Sequence, residues 1–321
     1  LSAFFLMLLI ADTIFISTKN FNHKIYLAYV SAFAFASSPL VLIWSRAAVS
    51  DSLLCGTLGI SLILFWRKLI NNNNQLICIF PWIFLGLAIL TKGPVSLIII
   101  SLTLIGFLIT QKDRKILISR INPFLGLSIS LLISLPWYIL EFLEHGYIFL
   151  DSFIGYHNLQ RYTSVVNNHT EPWWFFIFMM MLGSLPLSVF LIHGIWITSK
   201  DLIVDLKNKT KVSNDIYLFA LIWLLSIFVF FSLSATKLPS YWLPAIPASA
   251  ILITKSASSL LFKSREKGIL WLLTTLLLFG FSVALFLSNS WIDLISDPEM
   301  PDLVNEIRSS GLINNMRMIF S

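Results

Sequence analysis

Long apolar runs, separated by short polar turns, occupy most of this sequence. A bilayer core about 30 Å thick needs roughly 20 mainly apolar helical residues, and shorter runs suffice where aromatic or Lys side chains reach the interface. Because the runs lack the alternation of barrel strands, they predict an all-α polytopic membrane protein. Ten spans are predicted, near residues 1–16, 25–44, 52–66, 76–91, 95–110, 121–140, 173–197, 216–235, 239–254 and 269–288.

Composition agrees with this class, since 57% of the residues are hydrophobic and only 12% are charged. Soluble domains carry about a quarter of charged residues. The net charge of +6 comes from cations beside the apolar runs, not from a basic domain. Membrane topology therefore explains the charge, and nucleic acid is not expected as a partner.

The 22 Lys and Arg residues divide unequally between alternating loops. Sixteen fall on one set of loops, which the positive-inside rule assigns to the cytoplasm. The other set holds Arg46, Lys92, Arg161, Lys237, Arg308 and Arg317. This separation predicts that the 141–172 loop and the tail from 289 face outward.

The domain organisation follows from these runs. Residues 1–288 are predicted to form a transmembrane domain with the outer loop 141–172, and residues 289–321 to begin an outer-face segment. Residue 1 is a Leu inside an apolar run, so we expect the chain to begin within a longer protein. Cys55 and Cys78 lie in different spans near opposite leaflets and are expected to be packing residues rather than a disulfide.

Two lysines occupy similar turns on the predicted outer face. Lys92 lies in TKGP (91–94) and Lys237 in TKLP (236–239). A charge beside hydrocarbon is costly unless it is paired, hydrated or close to the surface. Either lysine could simply extend its ammonium to the interface. Two such turns on one face favour an anion site.

Arg46 and Asp51 form another charged pair, in SRAAVSDSLL (45–54). They could satisfy each other in an ion pair, or Asp51 could orient Arg46 toward a phosphate. Asp12, inside the first run, is interpreted as a polar contact without a functional role.

The outer loop carries a polar cluster, YHNLQRYTSVVNNHT (156–170), with His157, Asn158, Arg161, Tyr162 and His169. If residues 154–162 are helical, His157 and Arg161 share a face, and both can hold phosphate oxygens. The two histidines with Glu171 could suggest a metal, but their spacing matches no compact ligand pattern. We therefore expect no required cofactor, with a divalent metal as the disfavoured alternative.

The sequence carries no G-x-G-x-x-G, P-loop or Asp-x-Asp pattern, so chemistry on a soluble nucleotide is not supported. A lipid-linked phosphate could instead enter from the bilayer and leave its headgroup beside the outer cations.

Five motifs occur in a distinctive order from about residue 30 to 255. They are TKGP, PWY (136–138), YHNLQRYTSVV (156–166), EPWWFF (171–176) with LGSLP (182–186), and FFSLSATKLPSYWLPAIPA (230–248). This ordered set resembles the bacterial membrane glycosyltransferases of the GT-C fold, relatives of the protein O-mannosyltransferases and the 4-amino-4-deoxy-arabinose lipid A transferases.

The resemblance implies sugar transfer from a polyprenyl-phosphate donor to a lipid A, glycan or protein acceptor. The reaction would take place at the outer, periplasmic face of the cytoplasmic (inner) membrane. By match to the family motifs, Lys92, Arg161 and Lys237 would contact the donor phosphate. The supporting pocket would comprise Arg46, Asp51, His157, Asn158, Tyr162 and Tyr241.

One departure from the family concerns the catalytic base. The family's acidic first-loop motif should precede the span at 1–16, so the base is expected before residue 1 and a fragment without it would be inactive. Asp51 is a weak substitute candidate. A secondary transporter of an anionic or lipid-linked substrate is the alternative, but it should show a midplane site and paired inverted halves, which the sequence does not indicate.

Overall fold

The computed structural model describes residues 1–18, 21–47, 49–70, 79–164, 171–208 and 215–261. Regular structure within these ranges is helical throughout. The α-helices are α1 (Ser2–Ser17), α2 (Phe21–Ala36), α3 (Pro39–Trp44), α4 (Ser50–Ile70), α5 (Phe80–Lys92), α6 (Pro94–Thr110), α7 (Arg114–Ile121), α8 (Pro123–His145), α9 (Tyr147–Leu150), α10 (Arg161–Thr163), α11 (Phe175–Gly183), α12 (Ser188–Lys207), α13 (Ile216–Ser232) and α14 (Ile246–Leu261). A π-helix (Asp151–Gln160) precedes α10, and a 3-10 helix (Pro239–Ala245) precedes α14.

Local chemistry explains several helix boundaries. α5 ends at Lys92 because Gly93 adopts φ 70° and ψ −146°, which favours glycine, and Pro94 then opens α6. Ser38 caps α3 by accepting a hydrogen bond from the Val41 amide at 3.4 Å. Asp215 caps α13 in the same way, accepting from the Leu218 amide at 2.8 Å. The TKGP turn is therefore a tight reversal between two antiparallel helices, as its sequence predicts.

The predicted count of ten spans is not confirmed. Among the described residues, two helical segments, Ser50–Ile70 and Arg114–His145, are long and apolar enough to cross a membrane, and the total reaches three if Phe175–Gly183 and Ser188–Lys207 form one span bent by 112°. The same ranges contain five shorter apolar helices of 10–17 residues. The 25–44 run divides into α2 and α3 at Ser38–Pro39, and the predicted span at 269–288 lies outside the described residues.

Contacts between neighbouring helices establish their directions in the first half of the chain. α1 and α4 are parallel, because Ser2 lies against Gly56 and Asp12 pairs with Arg67 at 2.7 Å. α5 runs back along α4, with the rings of Phe65 and Trp82 4.8 Å apart.

α8 follows the direction of α5. Ser130 Oγ donates to the Trp82 carbonyl at 2.7 Å, and Tyr138 Oη donates to the Ile89 carbonyl at 2.7 Å. α7 lies at the far end of α4, where Arg120 Nη1 donates to the Leu69 carbonyl at 2.6 Å.

Two helix pairs extend the bundle in the second half of the chain. α13 packs against α6 through Phe219 and Phe107, whose ring centroids are 5.3 Å apart. α12 and α14 are parallel and approach closely, since a Cβ placed on Gly194 would lie 2.2 Å from the Leu252 carbonyl oxygen. Glycine is required there because any side chain would collide with backbone.

Two ends of the bundle can therefore be distinguished. The Arg67 end is defined by Asp12, Arg67 and Arg120, and the Lys92 end by Asp51, Lys92 and Tyr241. The cations at the Arg67 end include Arg67, Arg114, Arg120 and Lys255. These four belong to the set that the charge count assigns to the cytoplasm, whereas Lys92 belongs to the other set.

Apolar side chains occur both inside and outside this bundle. Trp223, Trp242 and Phe65 are completely buried. On α8, Phe124 and Leu132 are 89% and 76% exposed, an arrangement that would be unfavourable in water but suits contact with lipid. Cys55 is buried in the core, as expected of a packing residue, and Cys78 lies outside the described residues.

Candidate functional site

Lys92 lies at the centre of the polar group at the Lys92 end. Its ammonium forms an ion pair with the Asp51 carboxylate. The ammonium also lies 4.9 Å from the centroid of the Tyr241 ring, within the range of a cation–π interaction. The two side chains of the ion pair are only 23% and 17% exposed, so water shields their charges incompletely.

Antiparallel packing of α4 and α5 produces this pair. Asp51 lies in the first turn of α4 and Lys92 in the last turn of α5, so the two helices bring residues distant in sequence to the same level. The carboxylate favours the positive N-terminal end of its own helix, and the ammonium favours the negative C-terminal end of α5. Each charge is thus stabilised by its helix as well as by its partner.

Arg46 is not placed to form the suggested ion pair with Asp51. It lies in the turn after α3 with an exposed side chain, and Asp51 pairs with Lys92 instead. The chain turns between the two positions, so a five-residue separation does not bring them onto adjacent faces of one helix. The suggested orientation of Arg46 by Asp51 is therefore not found.

Tyr241 is held rigidly beneath Lys92. The tyrosine is 6% exposed and its ring stacks on Phe231 of α13 at 4.8 Å. The next residue, Trp242, is completely buried against Phe176 and Phe228. The 3-10 helix thus presents one aromatic face to the lysine while its other residues belong to the core.

A second connection joins the 161–164 segment to the chain just before this 3-10 helix. The Ala235 amide donates to the Tyr162 carbonyl at 2.9 Å, and Thr236 Oγ1 donates to the Ser164 carbonyl at 3.1 Å. The Tyr162 ring also lies 5.2 Å from Phe230. The backbone at 161–164 therefore runs beside the turn that carries Lys237, whose side chain is half-buried.

The structure consequently brings together four chain segments with predicted site residues. These are the start of α4 with Asp51, the end of α5 with Lys92, the 161–164 segment, and residues 234–241. α3, which precedes Arg46, also contacts the 3-10 helix. The side chains of His157, Asn158 and Arg161 lie outside the described ones, and His169 lies outside the described residues altogether.

Chemically, this group of segments can receive an oxyanion. An ammonium has three N–H donors and no acceptor, so Lys92 can bind Asp51 and still donate to a phosphate oxygen. Lys237 follows residues 235 and 236, which are bonded to the 161–164 segment. Cations on several turns around one position would share the charge of a phosphate better than a single lysine could.

Within the described ranges, no group of three or more His, Cys, Asp or Glu side chains is arranged to hold a metal ion. The side chains of His157 and His169 are not among the described ones, so the expectation that no metal is required stays a prediction.

Sequence reasoning missed two features. One is the Asp51–Lys92 pair, which needs the packing of two helices. The other is the partner of Asp12, which was correctly interpreted as a polar contact: Arg67 donates to its carboxylate at 2.7 Å and to Thr13 Oγ1 at 3.0 Å. The sequence signal for the Asp12–Arg67 pair was an acid and a cation beside two separate apolar runs, because either charge without a partner is costly near hydrocarbon.

Several known proteins are similar to this chain. Residues 1–140 match the family model described as dolichyl-phosphate-mannose-protein mannosyltransferase. An undecaprenyl phosphate-alpha-4-amino-4-deoxy-L-arabinose arabinosyl transferase from Wigglesworthia glossinidia brevipalpis is 30% identical over 273 residues, which cover 83% of this chain and 46% of the relative. The enzyme of the same name from Erwinia tasmaniensis is 27% identical, covering 70% of this chain and 39% of the relative.

Solved structures with the same fold are those of ArnT from Cupriavidus metallidurans. The crystal structure bound to undecaprenyl phosphate has a TM-score of 0.67 and 24% identity, and the match covers 84% of this chain and 47% of that one. The apo structure has a TM-score of 0.65 and 23% identity, with the same coverage. In each comparison the chain spans about half of its relative's length or less.

Proposed function

We propose that this chain takes part in the transfer of a sugar from a polyprenyl-phosphate donor. It would be a membrane protein of the GT-C glycosyltransferase type, similar to the arabinosyl transferases and protein mannosyltransferases. Lipid A is the acceptor class that the motif resemblance to the lipid A transferases favours, ahead of another glycan or a protein. The donor phosphate would bind at the Lys92 end, on the outer face of the cytoplasmic membrane.

The observation that carries this proposal is the meeting of separate cation-bearing segments around Tyr241. Lys92 lies over the Tyr241 ring, Lys237 precedes it in the chain, and the 161–164 backbone is bonded to residues 235 and 236. The solved relative of the same fold is described as bound to undecaprenyl phosphate. A lipid phosphate is therefore the anion that we assign to Lys92, Arg161 and Lys237.

The remaining residues would support that phosphate. Tyr241 and Tyr162 offer rings and hydroxyl groups, and His157 and Asn158 offer further donors on the outer loop. Arg46 would shape the edge of the pocket beside α3. These roles extend from the motif matches and from the backbone positions of the segments.

The chemistry divides between two kinds of group. As the sugar leaves the donor, negative charge grows on the phosphate, and fixed cations stabilise it. The acceptor oxygen needs a base to remove its proton. The Asp51 carboxylate would have to leave Lys92 before it could accept a proton, so Asp51 is better suited to positioning Lys92 than to general-base catalysis. We therefore do not assign the catalytic base to Asp51.

The proposed membrane arrangement keeps ten spans within residues 1–288, with residues 289–321 on the outer face. The Arg67 end would face the cytoplasm, because the larger set of cations lies there. No cofactor or metal is assigned, and neither is a nucleic-acid partner.

A binding experiment tests the site apart from the complete reaction. The chain would be placed in phosphatidylcholine nanodiscs, and binding of polyprenyl phosphate would be measured for the wild type, Arg161→Gln, Lys237→Gln and the control Lys200→Gln. Lys200 is an exposed lysine of α12 on a predicted cytoplasmic segment. We expect each site variant to weaken binding about tenfold, corresponding to roughly 1.4 kcal/mol, with no change in the control.

Equal binding by all four proteins would refute the phosphate assignment. Movement of labelled donor across a sealed bilayer without sugar transfer by the full-length enzyme would favour the transporter alternative instead.

A further inference from the structure

A cavity at the Arg67 end is separate from the candidate donor site. It has a volume of about 820 Å³ and lies where the C-terminal end of α6, the turn at 111–113 and α7 meet the last turn of α12. Its polar lining comprises Thr110, Gln111, Lys112, Asp113, Arg114, Lys115 and Asp205. The proposed sugar transfer requires none of these residues.

The positive and negative side chains of this lining nearly cancel. Three cations and two carboxylates leave a net charge of +1. A lining of this kind favours a ligand with a single negative charge and additional hydrogen-bond donors over a densely charged anion. The carboxylates can accept hydrogen bonds from hydroxyl groups, while the cations bind a phosphodiester.

Arg114 is already oriented for such a ligand. Its Nε donates to the Gln111 carbonyl at 3.0 Å, and its Nη2 donates to the Ile109 carbonyl at 2.9 Å. A guanidinium group has five N–H donors, so these two bonds fix its plane and leave donors for an anion. Less side-chain freedom would then be lost on binding.

α7 has the character of a helix at the membrane surface. Leu117 and Ile121 are buried against the bundle, at 3% and 5% exposure, whereas Ile116 and Ile118 are 57% and 43% exposed. The exposed isoleucines lie between Arg114 and Lys115 on one side and Arg120 on the other in the sequence. Apolar and basic side chains side by side suit the boundary between headgroups and hydrocarbon.

We propose that this cavity binds the headgroup of an anionic phospholipid with a glycerol headgroup, such as phosphatidylglycerol. Arg114 and Lys115 hold the phosphodiester, and Asp205 accepts a hydrogen bond from a glycerol hydroxyl. The acyl chains lie along the exposed isoleucines of α7. The bound lipid thereby joins α7 to the end of α12 and fixes the Arg67 end at the headgroup level of the bilayer.

Native mass spectrometry of the whole chain, released from detergent micelles with added lipid, tests this inference. Phosphatidylglycerol, phosphatidylethanolamine, phosphatidylcholine and phosphatidic acid with identical acyl chains would be compared. We expect phosphatidylglycerol to be retained best among the first three. Lys115→Gln should weaken its binding about fivefold, as expected for one cation at a lipid surface. Lys200→Gln is the matched control outside the cavity lining and should have no effect.

A second variant tests the role of the headgroup hydroxyl. Asp205→Asn should lower the ratio of phosphatidylglycerol to phosphatidic acid binding, because phosphatidic acid has no glycerol headgroup. Circular dichroism would verify that each variant keeps its helical content.

Three outcomes would overturn the proposal. They are equal retention of phosphatidylglycerol and phosphatidylcholine, equal effects of Lys115→Gln and Lys200→Gln, and complete displacement of the lipid by millimolar inorganic phosphate. The last result would indicate a site for free phosphate. Polyprenyl phosphate binding at the Lys92 end is measured separately, so failure here would leave the proposed function unaffected.

Discussion

The two ends of the bundle use their cations differently. At the Arg67 end, three cations outside the proposed lipid cavity join helices: Arg67 bonds Asp12 and Thr13 of α1, Arg120 bonds the end of α4, and Lys255 pairs with Asp201 at 3.0 Å. At the Lys92 end, Lys92 and Lys237 lie on turns where the chain reverses or changes its helix type. Cations that join helix sides support packing, whereas cations on turns around a rigid aromatic ring are suited to binding an anion.

The largest contrast between the ends should be topological. In a background with Cys55 and Cys78 replaced by Ala, a Cys at exposed Glu171 should react completely with a membrane-impermeant thiol reagent added to intact cells. A Cys at exposed Lys200 should react only after the membrane is opened. Gel-shift labelling measures both. The reverse pattern would exchange the outer and cytoplasmic assignments of the two ends.

The next largest difference should follow from Lys92→Gln in the full-length enzyme. We expect sugar transfer to fall about 100-fold, or roughly 2.7 kcal/mol, which is typical for loss of one group that stabilises charge in a transition state. Turnover would be measured with a polyprenyl-phosphate sugar donor.

The double variant Lys92→Gln with Asp51→Asn should recover stability, because it removes the unpaired carboxylate, but it should not recover transfer. If the double variant regained turnover, Lys92 would be only a partner for Asp51.

Arg67→Gln should lower the stability of the protein without changing its binding of the donor lipid. Loss of the charged bonds to Asp12 and Thr13 should destabilise the protein by about 2 kcal/mol. Polyprenyl phosphate affinity should stay unchanged, since these bonds lie at the other end. Unfolding in mixed micelles and nanodisc binding provide the two measurements. A stable variant with weaker lipid binding would contradict the division between the ends.

The smallest effect should come from the aromatic face beneath Lys92. Tyr241→Leu should weaken polyprenyl phosphate binding about threefold, because a cation–π contact contributes about 0.5–1 kcal/mol at a partly exposed site. Tyr241→Phe keeps the ring and is the control for this contact. Equal losses in the two variants would show that the hydroxyl, rather than the ring, supports binding.

Several features of this protein were predictable from local patterns. The all-helical membrane class is confirmed, and so is the resemblance to GT-C glycosyltransferases. The Lys92-Gly93-Pro94 reversal was also predictable, since glycine and proline restrict the backbone directly. The opposite positions of Arg67 and Lys92 follow from alternating apolar helices. Hydropathy and backbone preference act over a few residues, so one sequence suffices to reveal them.

The number of complete spans could not be obtained in the same way. An apolar run shows that a segment avoids water, but not where its helix bends. The 173–197 run contains a break between α11 and α12, and the 25–44 run ends one helix at Ala36 and begins another at Pro39. Ser38 Oγ donates a hydrogen bond to the Gly183 carbonyl at 2.6 Å, and this bond joins the two breaks. The two residues are 145 positions apart in the sequence.

The sequence by itself determined which residues carry charge beside hydrocarbon and which turns interrupt the helices. Only the tertiary structure decided their partners, pairing Asp51 with Lys92 rather than Arg46, and Asp12 with Arg67. The physical reason is that a charge in a poorly hydrated place is stabilised by whichever opposite charge the helix packing brings within bonding distance. That distance depends on the direction and level of two helices, not on their separation along the chain.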